Sequence, residues 1–264
     1  MSLPDGGNAA WYDRKTGEIH VFMEDHRDAV LDVLAPYLTG TSAPTKADAP
    51  PGAQPGSPPP PPEDDLALNR PGDAVRARAN ELAPSRVRYA LGKLVGRQSE
   101  ADSWMKGLKG EKTIGGELER LTRRGWRVLH SIPLPGEVDI DHLLLGPGGV
   151  FSINTKRHPG AQVWVGDESV KIGNKPYPYV RKSRHEARRA AKALTRACGF
   201  EVVVHPVLAF VGTAKVTVVP SLDDVRVLRD REFAALGPMT GVLHPSTLDA
   251  IYAMARSRRT WLSA

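Results

Sequence analysis

The chain has 264 residues, 36 Lys+Arg against 30 Asp+Glu for a formal charge of +6, and one cysteine. A lone cysteine excludes an intrachain disulfide framework and a cysteine-built zinc site; no apolar run approaches the roughly 20 residues that span a bilayer, and the start of the chain lacks the basic-then-apolar order of a signal peptide. These features suit a cytoplasmic protein with one substantial domain plus appendages, and the basic surplus favours a polyanionic partner.

In chain order, residues 1–38 read as a small unit. Trp11–Arg14 and Glu18–Phe22 can pair as a hairpin across Lys15-Thr16-Gly17, and Ala29–Leu34 reads as a short helix ended near Pro36. Some 30 residues cannot build an independent core. Residues 39–72 read as a linker: Pro44, Pro50, Pro51, Pro55 and the run Pro58 to Pro62 fix φ and remove donors, so the expected state is extended polyproline II. A PxxP ligand for a protein partner and a plain spacer are the two readings of that stretch. Residues 73–108 look like a charged helical lead-in.

The principal domain is expected over 109–264. Glu111 to Arg124 reads as a helix, with Ile114, Leu118 and Leu121 at helical spacing and Gly125 at its end. Trp126–His130 is a strand. Val138–Leu145 and Val150–Lys156 are two strands joined by the Gly146–Gly149 turn. Ala161–Val165 and Ser169–Ile172 resemble further strands, Ser183–Ala197 a helix, and Val202–Phe210 a strand covered on both faces. Val216–Val219 and Val225–Leu228 are expected to close the sheet, and a helix over 246–256 follows. This order predicts an α/β sandwich with a mixed central sheet flanked by helices.

The hairpin carries the chemistry. Folding the chain about Gly146–Gly149 sets Asp141 opposite Asn154 and Asp139 opposite Lys156. With a two-residue period these four project from one face, and Ile140, Leu144, Phe151 and Ile153 from the other. Carboxylates that bind a hard cation, next to a lysine that steadies an attacking water, are what a metal-dependent phosphodiesterase needs. The bland alternatives are a surface carboxylate at a strand start for Asp141, a solvated strand end for Lys156 and a backbone-capping amide for Asn154. For Glu111 the alternative is an acid favoured by the dipole at a helix start.

The segment from about Gly110 to the region of Phe210 resembles the nuclease-related (NERD) domain, a branch of the restriction-endonuclease-like PD-(D/E)XK superfamily. The residues that carry the resemblance are Gly110-Glu111, Leu118, Leu121, Gly125, Ile140-Asp141-His142, Gly146 through Phe151, Thr155-Lys156 and Gly160. The resemblance implies a restriction-endonuclease-like fold and Mg²⁺ (or Mn²⁺) as cofactor. It also implies catalytic Asp141, Asn154, Lys156 and Glu111, with Asp141, Asn154 and Glu111 as the metal ligands. Asn154 departs from the pattern, which has Asp or Glu two residues before the lysine; an amide oxygen ligates Mg²⁺ without adding charge.

The helix over 181–196 sets Arg181, Arg184, Arg188, Lys192 and Arg196 on one side and Ala187, Ala190, Ala191 and Leu194 on the other. Glu186 is its lone acid, and the resemblance aligns it with a polar position near the site. A charge run is usually a solvated face; one of nearly uniform sign is expected to contact phosphates, and the resemblance favours DNA over RNA as the nucleic acid. His142 reads as structural, Cys198 as a small buried hydrophobe, and no phosphate-binding Gly-rich loop followed by Lys-Ser or Lys-Thr is present. Three functions compete: a metal-dependent nuclease, a nucleic-acid-binding module without chemistry, and an interaction scaffold acting through the Pro-rich linker.

Overall fold

The computed structural model describes residues 10–12, 19–21, 60–76, 100–136 and 138–264. The chain divides into two compact units, Met1–Ala49 and Pro50–Ala264. In the first, β1 (Ala10–Tyr12) pairs antiparallel with β2 (Ile19–Val21), with Trp11 opposite His20. The helix expected at 29–34, the linker over 39–59 and the lead-in over 77–99 lie outside the described residues.

The second unit is built on a five-stranded mixed sheet in the order β11-β9-β5-β4-β3. Its strands are β3 (Arg127–Leu134), β4 (Val138–Gly146), β5 (Gly149–Arg157), β9 (Val204–Val211) and β11 (Arg226–Arg229). The strand β5 is central because its run from Gly149 through Thr155 is buried on both faces. It pairs antiparallel with β4 and parallel with β9. The Pro147-Gly148 turn fixes the β4–β5 register, with Gly146 opposite Gly149 and His142 opposite Ile153.

Helices cover both faces. Helix α1 (Glu100–Leu121) brings Ile114, Leu118 and Leu121 onto Leu144, Phe151, Ile153, Val207 and Ala209. On the other face lie α2 (Tyr179–Cys198) and α3 (Pro245–Ala255), whose Ala187, Ala190, Leu194, Leu248 and Ile251 pack with Ile140, Leu143, Leu145 and Val150. The small alanines let α2 lie close to the sheet. Its end is set by Gly199, at φ 74°, whose N–H bonds to the Thr195 carbonyl.

Four details differ from the sequence reading. First, α1 starts at Glu100, well before the expected Glu111. Second, Val216–Val219 does not close the main sheet. Strand β10 (Lys215–Val218) instead runs parallel to β6 (Gln162–Val165) in a separate sheet, order β10-β6-β7-β8, completed by β7 (Val170–Ile172) and an unexpected β8 (Lys175–Tyr177). Val163, Val165 and Val170 give this sheet one apolar face, which packs on Leu208, Phe210 and Val180. A half-buried pattern of this kind specifies a covered face but not which sheet supplies it.

Third, Ile140 does not share a face with Leu144, Phe151 and Ile153; it joins Leu143 and Leu145 in the opposite cluster. The facing of β4 therefore reverses between Ile140 and Leu143. Its neighbour β3 reverses alongside, between Leu129 and Ile132, where Ser131 takes a left-handed φ of 50°. Fourth, residues 60–72, expected within the linker, are packed. Leu66 is fully buried among β3, α3 and Trp261, and its N–H bonds to the Arg256 carbonyl at 2.8 Å. Asp65 accepts from the Arg256 guanidinium, Asp64 pairs with Arg259, and Asn69 donates to the His130 and Ser131 carbonyls. The proline run ends at Pro62, and the Leu66-Ala67-Leu68 turn that follows supplies the buried anchor.

Candidate active site

The cluster forms where β4 and β5 part. Their pairing stops at His142–Ile153, and the Asp141 carboxylate accepts from the Thr155 backbone N–H at 2.6 Å. Asp141 thus occupies a ladder position left open by the reversal at Ser131. Beyond it on β5 come Asn154 and Lys156. The Lys156 ammonium donates to the Thr155 carbonyl at 3.0 Å and lies 5.5 Å from the centre of the Tyr179 ring.

Glu111 approaches from α1. A Cβ on Gly110 would stand 3.2 Å from Arg157 Cβ and 3.3 Å from Thr155 Cγ2, so glycine lets the helix lie against β5 at this turn. Glu111 sits midway along α1, not at its start, which removes the helix-dipole explanation for an acid there. It is buried, the Gly72 backbone N–H donates to it, and its Oε2 has no partner among the described residues.

From the opposite helix comes Glu186. Asn154 Nδ2 donates to Glu186 Oε2 at 2.5 Å, both side chains are buried, and Asn154 Oδ1 is left without a partner. Site reasoning from the sequence passed over Glu186 as a ligand. Its signals were that it is the only acid in the basic run of α2 and that the resemblance aligns it with a polar position near the site.

The electrostatics are those of crowded acids. Burial, then the charges of Asp141 and Asp139, push the Glu111 carboxyl up to about 9. Burial pushes Asp141 up to about 6, with the Lys156 charge and the Thr155 N–H opposing. Burial and the Asp141 charge push Glu186 up to about 7. One lysine does not offset these carboxylates, and a bound cation would. Among the described residues, no group of three or more His, Cys, Asp or Glu side chains forms a ready metal cage. The donors that do fit are oxygens: the carboxylates of Asp141 and Glu111, and the unpartnered Asn154 Oδ1. Hard oxygen donors, two of them with orphaned buried atoms, suit Mg²⁺ or Mn²⁺.

The basic side chains of α2 do not converge on this cluster. Arg184 is committed elsewhere: its Nε and Nη2 grip Asp224 at 2.6 and 2.8 Å, and Nη1 reaches the Asp167 carbonyl and Glu168. Arg196 binds Ser263. Arg188, Lys192 and Arg196 line a shallow depression with Val203 and Val204 at the start of β9. Val204 pairs with Val150, so this depression lies toward the other end of β5 from Asn154. Arg181 and Lys192 are exposed.

Two residues read as structural are so placed. His142 is fully buried with its Nδ1 2.8 Å from that of His130, and burial holds both imidazoles below their ordinary range. Cys198 is buried, and its thiol is pushed up to about 11.

Residues 106–211 match the nuclease-related domain family. This stretch is similar to that family. It runs from α1 through β9 and contains Glu111, Asp141, Asn154, Lys156 and Glu186, and the family is PD-(D/E)XK-like. No curated protein and no solved structure matches the chain. Among the described residues, no helix is long and apolar enough to cross a membrane.

Proposed function

We propose that the nuclease-related domain is a divalent-cation-dependent phosphodiesterase that acts on nucleic acid, DNA in the first instance. The observation that carries this reading is the convergence of Asp141, Glu111 and Asn154 with Lys156, two of them presenting buried oxygens without a partner among the described residues. Asp141, Glu111 and the Asn154 oxygen would hold Mg²⁺ or Mn²⁺, which supplies Lewis-acid polarisation of a phosphoryl oxygen and a water of lowered pKa.

The chain's own groups do the rest. Lys156 places a positive charge beside the carboxylates, where it orients a water nucleophile or offsets charge growing on the phosphoryl oxygens. The Thr155 N–H fixes the Asp141 carboxylate, so the ligand is held before substrate arrives. Arg181, Arg188 and Lys192 are the α2 cations that supply backbone contacts, a screening-sensitive attraction.

The test is cleavage of supercoiled plasmid and of single-stranded DNA across a Mg²⁺ and Mn²⁺ titration. Wild type is expected to cleave, with Mn²⁺ favoured because Asn154 contributes no charge. Asp141→Ala is expected to lower cleavage at least a hundredfold, with DNA affinity changed less than threefold. Silence of the wild-type protein with every divalent ion would remove the nuclease reading. Salt-sensitive DNA binding by that silent protein would favour the second reading, a binding module, to which the amide at 154 also points.

A further inference from the structure

The nuclease-related pattern has a carboxylate where this chain has Asn154, and the fold brings another acid to the same place. Glu186 is the sole acid of α2, in a helix whose other charged side chains are all basic. It is 8% exposed, and its one hydrogen-bond partner among the described residues is the Asn154 amide at 2.5 Å. A buried carboxylate held only by a neutral amide is costly, and a purely packing position would be served better by glutamine or an apolar residue. Lys156 and Asp141 are its nearest charged neighbours in electrostatic effect, so it belongs to the same cluster. Asn154 meanwhile donates with Nδ2 and leaves Oδ1 buried and unpartnered. The amide thus meets the acid with one atom and keeps an acceptor free with the other.

We infer that Glu186 is a metal-binding carboxylate of this site, supplying from helix α2 the negative charge that position 154 lacks, with Asn154 holding it in place. The inference rests on the reading that the cluster takes a divalent cation. It adds which residues make up the charge count, and it moves one of them from the strand to the helix. Affinity for a hard cation follows that count.

The experiment measures Mn²⁺ binding to the full chain by titration calorimetry and by electron paramagnetic resonance of free Mn²⁺. Circular dichroism serves as the fold control. Wild type, Asp141→Ala, Glu186→Gln and the exchange Asn154→Glu with Glu186→Gln are compared. Glu186→Gln is nearly isosteric and is expected to weaken Mn²⁺ binding at least tenfold. The exchange returns the charge to the strand and is expected to bring the affinity back to within about threefold of wild type. A role confined to packing would instead shift thermal stability and leave Mn²⁺ affinity alone. The inference is overturned if Glu186→Gln binds Mn²⁺ like wild type while Asp141→Ala does not. A folded exchange variant that binds no Mn²⁺ overturns it as well. Wild-type protein that binds no Mn²⁺ removes the cation reading itself, a result distinct from the other two.

Discussion

At the scale of single residues, the cluster is an arrangement the fold holds at a cost. Glu111 shows it most clearly. Its carboxyl is raised from its ordinary 4.5 to about 9, so without a cation the folded chain keeps a proton there that the unfolded chain releases. Where the native state binds the extra proton, stability falls as pH rises, here across the window from about 4.5 to about 9. Glu111→Gln removes this dependence. In EDTA the variant is expected to melt higher than wild type at pH 8.5, by roughly 2–4 °C for each 1 kcal/mol relieved in a domain of this size. At pH 5, where the unfolded glutamate is also partly protonated, the gap should nearly close. Thermal melts at the two pH values decide it, and a variant that melts lower at pH 8.5 would mean that the carboxylate is not strained. Sites that bind cations commonly trade stability for function in this way.

At the scale of elements, the turn residues and the two-residue period carried much of the information. Gly146–Gly149 set the hairpin register, and with it the position of Asn154 five residues along β5 from Gly149. Three things were hidden. The reversal of facing at Ser131 has no glycine or proline to announce it, because a serine occupies the left-handed conformation. The second sheet was hidden because alternation marks a covered face without naming its cover. Helix α2 concealed two opposite fates: Glu186 turns inward to Asn154, and Arg184, counted with the phosphate-binding face, is tied to Asp224 and Glu168. Periodicity assigns a side but not a partner.

Arg184 links α2 to the segment ahead of β11, whereas the exposed Lys192 has no such tie among the described residues. Arg184→Ala is therefore expected to lower stability by roughly 1 kcal/mol, the upper range for a partly exposed pair, with little effect on DNA affinity. Lys192→Ala is expected to leave stability within about 0.5 kcal/mol and to reduce the slope of log affinity against log salt by about 1. Paired melts and salt titrations separate the two, and the reverse assignment would show that Arg184 is a phosphate contact after all.

At the scale of the whole molecule, the family match at 106–211 is not a complete folding unit. Leu66 fills the core beside Trp261, and Gly72 donates to Glu111, so chain from both sides of the matched segment shapes the cluster. Arg256→Ala removes the guanidinium that holds Asp65 and is expected to loosen this contact at a distance. The readout is amide hydrogen exchange, where Gly72 should lose protection in the variant while the β5 amides keep theirs. Unchanged exchange at Gly72 would show that the segment is held by Leu66 alone.

Asp65 and Arg256 lie 191 positions apart. A ribosome adds on the order of 5–20 residues per second, so an emerging chain displays Asp141 and Lys156 for several seconds before it can pin the segment that steadies Glu111. The contact is thus made only after the 191 positions between its partners have been added. A chain interrupted before Arg256 would carry the acids and the lysine in sequence but not the clasp that sets them, so the cluster stays unassembled until Arg256 has emerged.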